Sequence, residues 1–249
     1  IVISAGKFEQ KLEEVTVSMD VIKPSLIENK NSTDLEVLMN QSPGVQVIDG
    51  QANIRGGSGW SYGAGTRVLV MVDDMPLISG DAGQVQWNLI ATENINQVEI
   101  IKGASSALYG SSALNGIINI RTSYPKQSEI DKNPSVGYTK VNLNFGVIDF
   151  AKRSALNWYG NKRNTFQGVE FLQSLKYDNL DLSFGGNIFD DEGYRKDEET
   201  HRKRFNMNSL FKSEKISGLS YGINANALFE STASAIIWNG FTIVDFFRI

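Results

Sequence analysis

Cysteine is absent from the 249 residues, which removes disulfide frameworks, thiolate nucleophiles, zinc ribbons and iron–sulfur clusters at once. Histidine occurs once, as His201, so neither a His-rich metal site nor a Ser-His-Asp triad is expected. No run of about 18 apolar residues exists, so no membrane-spanning helix is expected. A β-barrel escapes that test, because alternating strands cross lipid with a mean hydropathy that looks soluble. Charge of one sign is scarce as well. The 24 basic and 28 acidic side chains leave −4, too small and of the wrong sign for a chain built to hold nucleic acid. Charged residues at 21 % and hydrophobic ones at 41 % are those of a folded chain, and the length allows one large domain or two.

What is present differs on the two sides of Pro125. Residues 1–125 hold 8 basic and 13 acidic side chains, net −5; residues 126–249 hold 16 and 15, net +1. The first half mixes strand-like runs with helix signals. Val15-Thr16-Val17, Arg67 to Val72, Asn96 to Ile101 and Gly116 to Ile120 read as strands. Asn31-Ser32-Thr33-Asp34 offers N-cap residues ahead of Leu35, Leu38 and Met39 at helical spacing, and Pro43-Gly44 stops that helix. These signals imply a small mixed α/β domain with its own core.

The second half alternates with period two. Val141, Leu143, Phe145 and Val147 interleave with Asn142, Asn144 and Gly146, and the pattern recurs over 169–177, 180–188, 205–211 and 221–229. Five strands of roughly ten residues have the length to cross a bilayer at a tilt. Their polar faces are rich in Asn, Gly and Ser, as a wet lumen requires. Connections alternate between long (149–164 and 190–203) and short (178–179 and 213–218), the asymmetry of an outer-membrane barrel. A soluble antiparallel sandwich also alternates, but rarely with such lumen-like faces and such regular loop asymmetry.

Several strings in the first half then occur in a telling order. They are Ser42-Pro43-Gly44-Val45-Gln46-Val47, Asn53-Ile54-Arg55-Gly56-Gly57, the run from Arg67 to Pro76, and the run from Val98 to Ile120. In this order and spacing they resemble the plug domain of TonB-dependent outer-membrane receptors, over about half the chain. Two departures are visible: Asp73-Asp74 stands where the family has Asp-Gly, and Lys102-Gly103-Ala104 where it has Arg-Gly-Pro. The first keeps the turn, since Asp tolerates left-handed geometry; the second keeps charge but loses a bidentate fork. The resemblance implies an α+β plug domain followed by antiparallel strands of a transmembrane outer-membrane β-barrel of roughly 22 strands. Residues 1–13 would be a coupling segment and linker, 14–125 the plug, and 126–249 the first five or six strands, counting 241–247. So few strands cannot close around a plug, and open edges in lipid leave backbone groups unsatisfied. The chain is therefore expected to be the N-terminal part of a longer protein, with a processed or trimmed start.

Other chemistry recedes beside this. Gly56-Gly57-Ser58-Gly59 and Gly63-Ala64-Gly65 fit neither the dinucleotide fingerprint nor the P-loop and read as an apical loop. Asp190-Asp191-Glu192 with Asp197-Glu198-Glu199 could hold calcium, but interleaved Arg195, Lys196, Arg202, Lys203 and Arg204 favour a solvated outer loop, with His201 exposed in it. Glu170 falls on a wet face and needs no catalytic role. No nucleophile, base and orienter assemble, so no catalytic residue, cofactor or metal is expected.

The resemblance implies instead a solute receptor. Trp60, Tyr62, Gln84 and Trp87, in two loops (56–65 and 79–87), would floor the solute pocket, unless the tryptophans pack against the barrel wall. Arg55 and Lys102 would pair with barrel carboxylates and lock the plug, or else form ordinary surface ion pairs. Ile1, Val2 and Ile3, with Ser4 and Ala5, form an exposed-looking β-prone strip that a periplasmic TonB-type energy-coupling protein could capture by strand addition, a frayed terminus being the bland alternative. The other partners implied are outer-membrane lipid, a solute of undefined class and an outer-membrane lipoprotein, with no nucleic acid. A non-transporting accessory barrel of a secretion or surface assembly is the second reading; the intact plug strings favour an energised importer.

Overall fold

The structure, a computed structural model, describes residues 4–8, 10–30, 35–57, 60–61, 65–125, 137–150, 152, 162–194, 198–235 and 246–248. The chain divides into two compact units, Ile1–Ser123 and Tyr124–Ile249. In chain order the first holds β1 (Met19–Ile22), α1 (Pro24–Lys30), α2 (Leu35–Met39), β2 (Val45–Ile48), β3 (Gln51–Ile54), β4 (Trp60–Ser61), β5 (Gly65–Thr66), β6 (Val68–Val72), β7 (Met75–Pro76), β8 (Ile95–Lys102), α3 (Ser106–Tyr109) and β9 (Gly116–Thr122). The second holds β10 (Tyr138–Val147), β11 (Thr165–Tyr177), β12 (Leu180–Asp191), β13 (Thr200–Lys212), β14 (Ser220–Ala235) and β15 (Phe246–Arg248).

The first unit is built on a five-stranded sheet in the order β1-β8-β9-β6-β7, with β6 and β9 parallel and the other pairs antiparallel. Its central strands are nearly continuous Val and Ile because both faces are covered. Val68, Val70, Val98, Ile100, Ile118 and Ile120 pack with Ile27 of α1 and with Leu35, Leu38 and Met39 of α2. Leu69, Met71, Ile101 and Ile117 point the other way, toward Ala113, Met19 and Tyr109. The i, i+3, i+4 spacing in α2 aims Leu35, Leu38 and Met39 into the core and leaves Val37 exposed; its cap candidates at 31–34 lie outside the described residues.

The first strand lies later than the β-branched run suggests. Val15-Thr16-Val17 is not strand, and Val17 is exposed. Pairing begins at Met19, opposite Ile101, and runs to Ile22, opposite Val98. Register against β8, rather than local β propensity, sets the position. The β6–β7 turn keeps its geometry without the glycine, with Asp73 at φ 46° and Asp74 at φ 67°.

The second unit is one antiparallel sheet in sequence order, β10 to β15. Tyr177 pairs with Leu180 across the two-residue loop 178–179, where Asp178 takes φ 42°. The connection read over 190–203 is shorter in the structure, because the β12–β13 ladder runs out to Asp191 opposite Thr200. His201 is therefore a strand residue, not a loop residue; it is exposed, with Nδ1 2.8 Å from Oδ1 of its cross-strand neighbour Asp190. The charges at this end follow the pleat, Arg202 and Arg204 on one face and His201 and Lys203 on the other, so they extend the strand rather than end it. Of the sixth strand read at 241–247, residues 246–248 pair with Ala233–Ala235, and 241–245 lie outside the described residues.

The faces of this sheet reverse the arrangement of a soluble one. Leu143 (76 %), Phe145 (72 %) and Phe229 (66 %) are exposed, with Val141, Val169, Ile188 and Ile223 on the same face. Ser183, Asn187, Arg204 and Asn208 on the other face are buried. Glu170 is buried there too, accepting from Asn142 Nδ2 at 3.3 Å and Asn187 Nδ2 at 3.1 Å. Asp181 pairs with Lys176 and, at 3.2 Å, with Lys212. A continuous exposed apolar face opposite a hydrogen-bonded polar one is stable against lipid and not against water, which removes the soluble-sandwich alternative.

Leu143 lies mid-way along the apolar face of β10, and Val147 ends it. Leu143→Arg is expected to destabilise the bilayer-embedded barrel by about 2–4 kcal/mol and Val147→Arg by about 0–1 kcal/mol, measured by denaturant unfolding in lipid vesicles.

Glu192, in the loop after β12, accepts from Lys162 Nζ at 2.7 Å and from Thr165 N at 2.8 Å. The Lys162 hydrogen bond, then the Thr165 amide, hold its carboxyl below its ordinary value. A depressed carboxylate contributes above its unfolded value and loses that contribution as pH falls through the folded one. Protection of the Thr165 amide, taken relative to its intrinsic exchange rate, is thus expected to hold at neutral pH and to fall only below the ordinary Glu range.

Candidate functional site

The two loops singled out from the sequence are brought together. β4 and β5 form a short hairpin, Trp60 opposite Thr66 and Ser61 opposite Gly65, anchored by Thr66 Oγ1 donating to the Val68 carbonyl at 2.7 Å. The second loop closes on itself: Ser79 N donates to the Gln84 carbonyl at 2.7 Å, Gly83 N to the Ser79 carbonyl at 3.1 Å and Gln84 N to Ser79 Oγ at 3.1 Å. The loops meet through main chain at Gly65 (φ 68°) and Gly83 (φ 61°), where a Cβ on Gly83 would stand 3.2 Å from Gly65 Cα. Left-handed φ and this close approach both require glycine.

Of the four expected contact residues, Gln84 is exposed on its loop. Tyr62 and the side chain of Trp60 lie outside the described residues. Trp87 is placed differently. It is 6 % exposed, packs in the main core, and donates from Nε1 to the Gly50 carbonyl at 2.7 Å. Its ring is large and apolar enough to be taken into the core, and the hydrogen bond ties the β2–β3 hairpin to the second loop. One charged group there was not legible in the sequence. Asp81 is exposed at the loop tip, its carboxyl held below the ordinary value first by the Ser79 hydroxyl and then by the Ala82 amide at 2.7 Å.

Arg55 and Lys102 converge on the approach to β1. Arg55 Nη2 donates to Ser18 Oγ at 2.6 Å; Lys102 N donates to the Ser18 carbonyl at 2.8 Å. Lys102 Nζ forms an ion pair with Asp20 and donates to the Pro43 carbonyl at 2.7 Å. Both cations thus grip residues 18–20 from two sides.

Ile1, Val2 and Ile3 lie outside the described residues, but Ser4 does not, and it is fully buried rather than part of an exposed strip. Its N–H donates to Glu99 Oε2 at 2.7 Å, its carbonyl accepts from Tyr109 Oη at 2.7 Å, and its Oγ accepts from Asn119 Nδ2 at 2.9 Å. Lys7 Nζ lies 4.6 Å from the centre of the Tyr109 ring. Burial, then the nearby Asp74 charge, push the Tyr109 phenol up from its ordinary value, so it stays a donor. No periodicity reveals this docking, since it depends on single polar atoms supplied by three distant elements.

Comparison with known proteins matches residues 11–117 to a family described as the TonB-dependent receptor plug domain. The "Vitamin B12 transporter BtuB" of Vibrio vulnificus (strain CMCP6) is 37 % identical over 165 residues, covering 61 % of this chain and 27 % of that protein. Its counterpart in Vibrio cholerae serotype O1 (strain M66-2) is 30 % identical over 157 residues, 62 % of this chain and 24 % of that one. The chain spans about a quarter of the length of these relatives. Among solved structures, the RagAB peptide importer in its 'open-open' state superposes with a TM-score of 0.71 at 17 % identity, over 98 % of this chain and 33 % of that one. The ferric-catecholate import receptor Fiu of E. coli K12 gives 0.64 at 18 %, over 91 % and 29 %.

The glycine contact gives a direct test of how the loops are held. Gly83→Ala is expected to strain the second loop by about 1–2 kcal/mol. Amide exchange at residues 83 and 84 should accelerate while Val70 and Ile118 stay protected.

Proposed function

Because the chain belongs to the TonB-dependent receptors, plug followed by strands of an outer-membrane β-barrel, we propose that its whole protein imports a scarce solute through a plugged barrel. The observation that carries this reading is the succession, in one chain, of a separately cored unit with paired glycine-rich loops and a sheet whose apolar face is exposed. The matched relatives bear the names of transporters, import receptors and importers, not enzymes.

In this reading the two loops face the solute, with Trp60, Tyr62 and Gln84 as contacts and Trp87 supporting them from the core. Asp81 adds a fixed negative charge beside them. Arg55 and Lys102 lock the plug, here by tying down the approach to β1, which a pull arriving from the N-terminus reaches after the Ser4 contacts. Residues 1–3 offer backbone donors and acceptors to a periplasmic TonB-type partner driven by the proton gradient, and strand pairing carries the pull along the chain. Outer-membrane lipid covers the apolar face of the strands, and a surface lipoprotein is a further partner to look for. Cobalamin is the solute to test first, with ferric siderophores and peptides beside it.

Cells making the full-length protein are expected to accumulate one of these solutes and to lose that uptake when the proton gradient is collapsed. Alanine at both Trp60 and Gln84 should weaken surface binding of that solute about tenfold or more while the protein stays folded. Absence of gradient-dependent uptake for all three classes would favour the accessory-barrel reading.

A further inference from the structure

The turn between β6 and β7 needs two left-handed residues, and glycine would adopt that geometry without strain. Asp73 compensates locally, its carboxylate accepting from Thr122 N at 3.0 Å and Thr122 Oγ1 at 2.5 Å. Asp74 reaches further. Its two oxygens accept from Arg121 at 2.7 and 3.0 Å, and Oδ1 also accepts from Asn119 Nδ2 at 2.9 Å. Asn119 is fully buried on β9, and the same Nδ2 donates to Ser4 Oγ.

The chemistry of the amide makes this a directed relay. An ionised carboxylate only accepts, so Asp74 forces Nδ2, not Oδ1, to face it. One N–H is then spent on Asp74 and the other is delivered to Ser4. With Asn119 flipped, an acceptor would face Asp74 and the Ser4 hydroxyl would lose its donor. Arg121 holds Asp74 in place bidentately, so the relay starts from a fixed charge. Glu99 and Tyr109 take the remaining polar groups of Ser4, and lifting Ser4 removes one donor from the buried Glu99 carboxylate, which Gln97 Nε2 also serves.

We infer that Asp74 is a positioning residue acting through Asn119, and that it sets how firmly the N-terminal segment is clasped to the plug sheet. Any partner that captures the extended segment competes with this clasp, so the Asp74 side chain governs how often the segment is free. Only that last consequence rests on the coupling role proposed above; the clasp itself does not.

The test is amide exchange of residues 4–8 in the full-length protein in detergent micelles, with neither solute nor partner present. Asp74→Gly relaxes the turn and removes the relay, so exchange over 4–8 should rise about tenfold, while Ile100 and Ile118 stay unchanged. Asp74→Asn keeps an acceptor without the charge and should fall between the two. Unchanged exchange over 4–8 in Asp74→Gly, or equal acceleration at Ile100 and Ile118, would overturn the inference. Faster exchange over 4–8 with uptake unaltered would uphold the clasp and refute the coupling role of the segment.

Discussion

A backbone amide in hydrocarbon has no water to turn to, and the second unit is arranged around that constraint. Strands of ten to sixteen residues, Tyr138–Val147 to Ser220–Ala235, pair along almost their whole lengths, so each ladder satisfies main-chain groups that lipid would leave stranded. Once the backbone is paired, side chains can only sort by face. Leu143, Phe145 and Phe229 go where the surroundings are apolar, and Asn187, Arg204 and Asn208 go where they are not. Glu170 is tolerated because two asparagine amides donate to it, which offsets the cost of burying a carboxylate.

The first unit solves a different problem with the same alphabet. Its core is apolar on one face of the sheet, where α2 and the β2–β3 hairpin close over Val70, Ile100 and Ile118. On the other face a short apolar patch around Met71 and Ile117 gives way to Glu99, Asn119 and Ser4. Apolar packing tolerates small shifts, whereas a buried polar cluster depends on individual donor–acceptor pairs. The two faces of the plug sheet are therefore held by different forces.

Much of this was legible in the residues because period-two alternation is a direct print of the pleat. The strands around Val141, Val169, Leu180, Phe205 and Tyr221 could be read in place, and so could α2 from Leu35, Leu38 and Met39. Illegibility began where a distant partner decides. Val15-Thr16-Val17 and Met19–Ile22 are both β-prone, and only the register against Ile101 chooses between them. The charges around His201 looked like loop and proved to be strand, since cross-strand pairing with Asp190 is invisible in composition. Trp87 is an amphipathic ring in a loop that the resemblance assigns to the solute, yet the Gly50 carbonyl waiting in the core cannot be read from neighbours in sequence. Ser4 is the extreme case: three contacts, made with residues about a hundred positions away.

The meeting of the two loops at Gly65 and Gly83 carries one more consequence. At that point backbone meets backbone, so side chains displayed elsewhere on the loops can change without altering this contact. A lineage carrying this plug could try new recognition surfaces by point substitution at exposed positions such as Asp81 and Gln84 while the Gly65–Gly83 frame is inherited intact. Selection on cargo and selection on folding would then act on separate sets of positions, and a change of diet would not have to begin with a loss of stability.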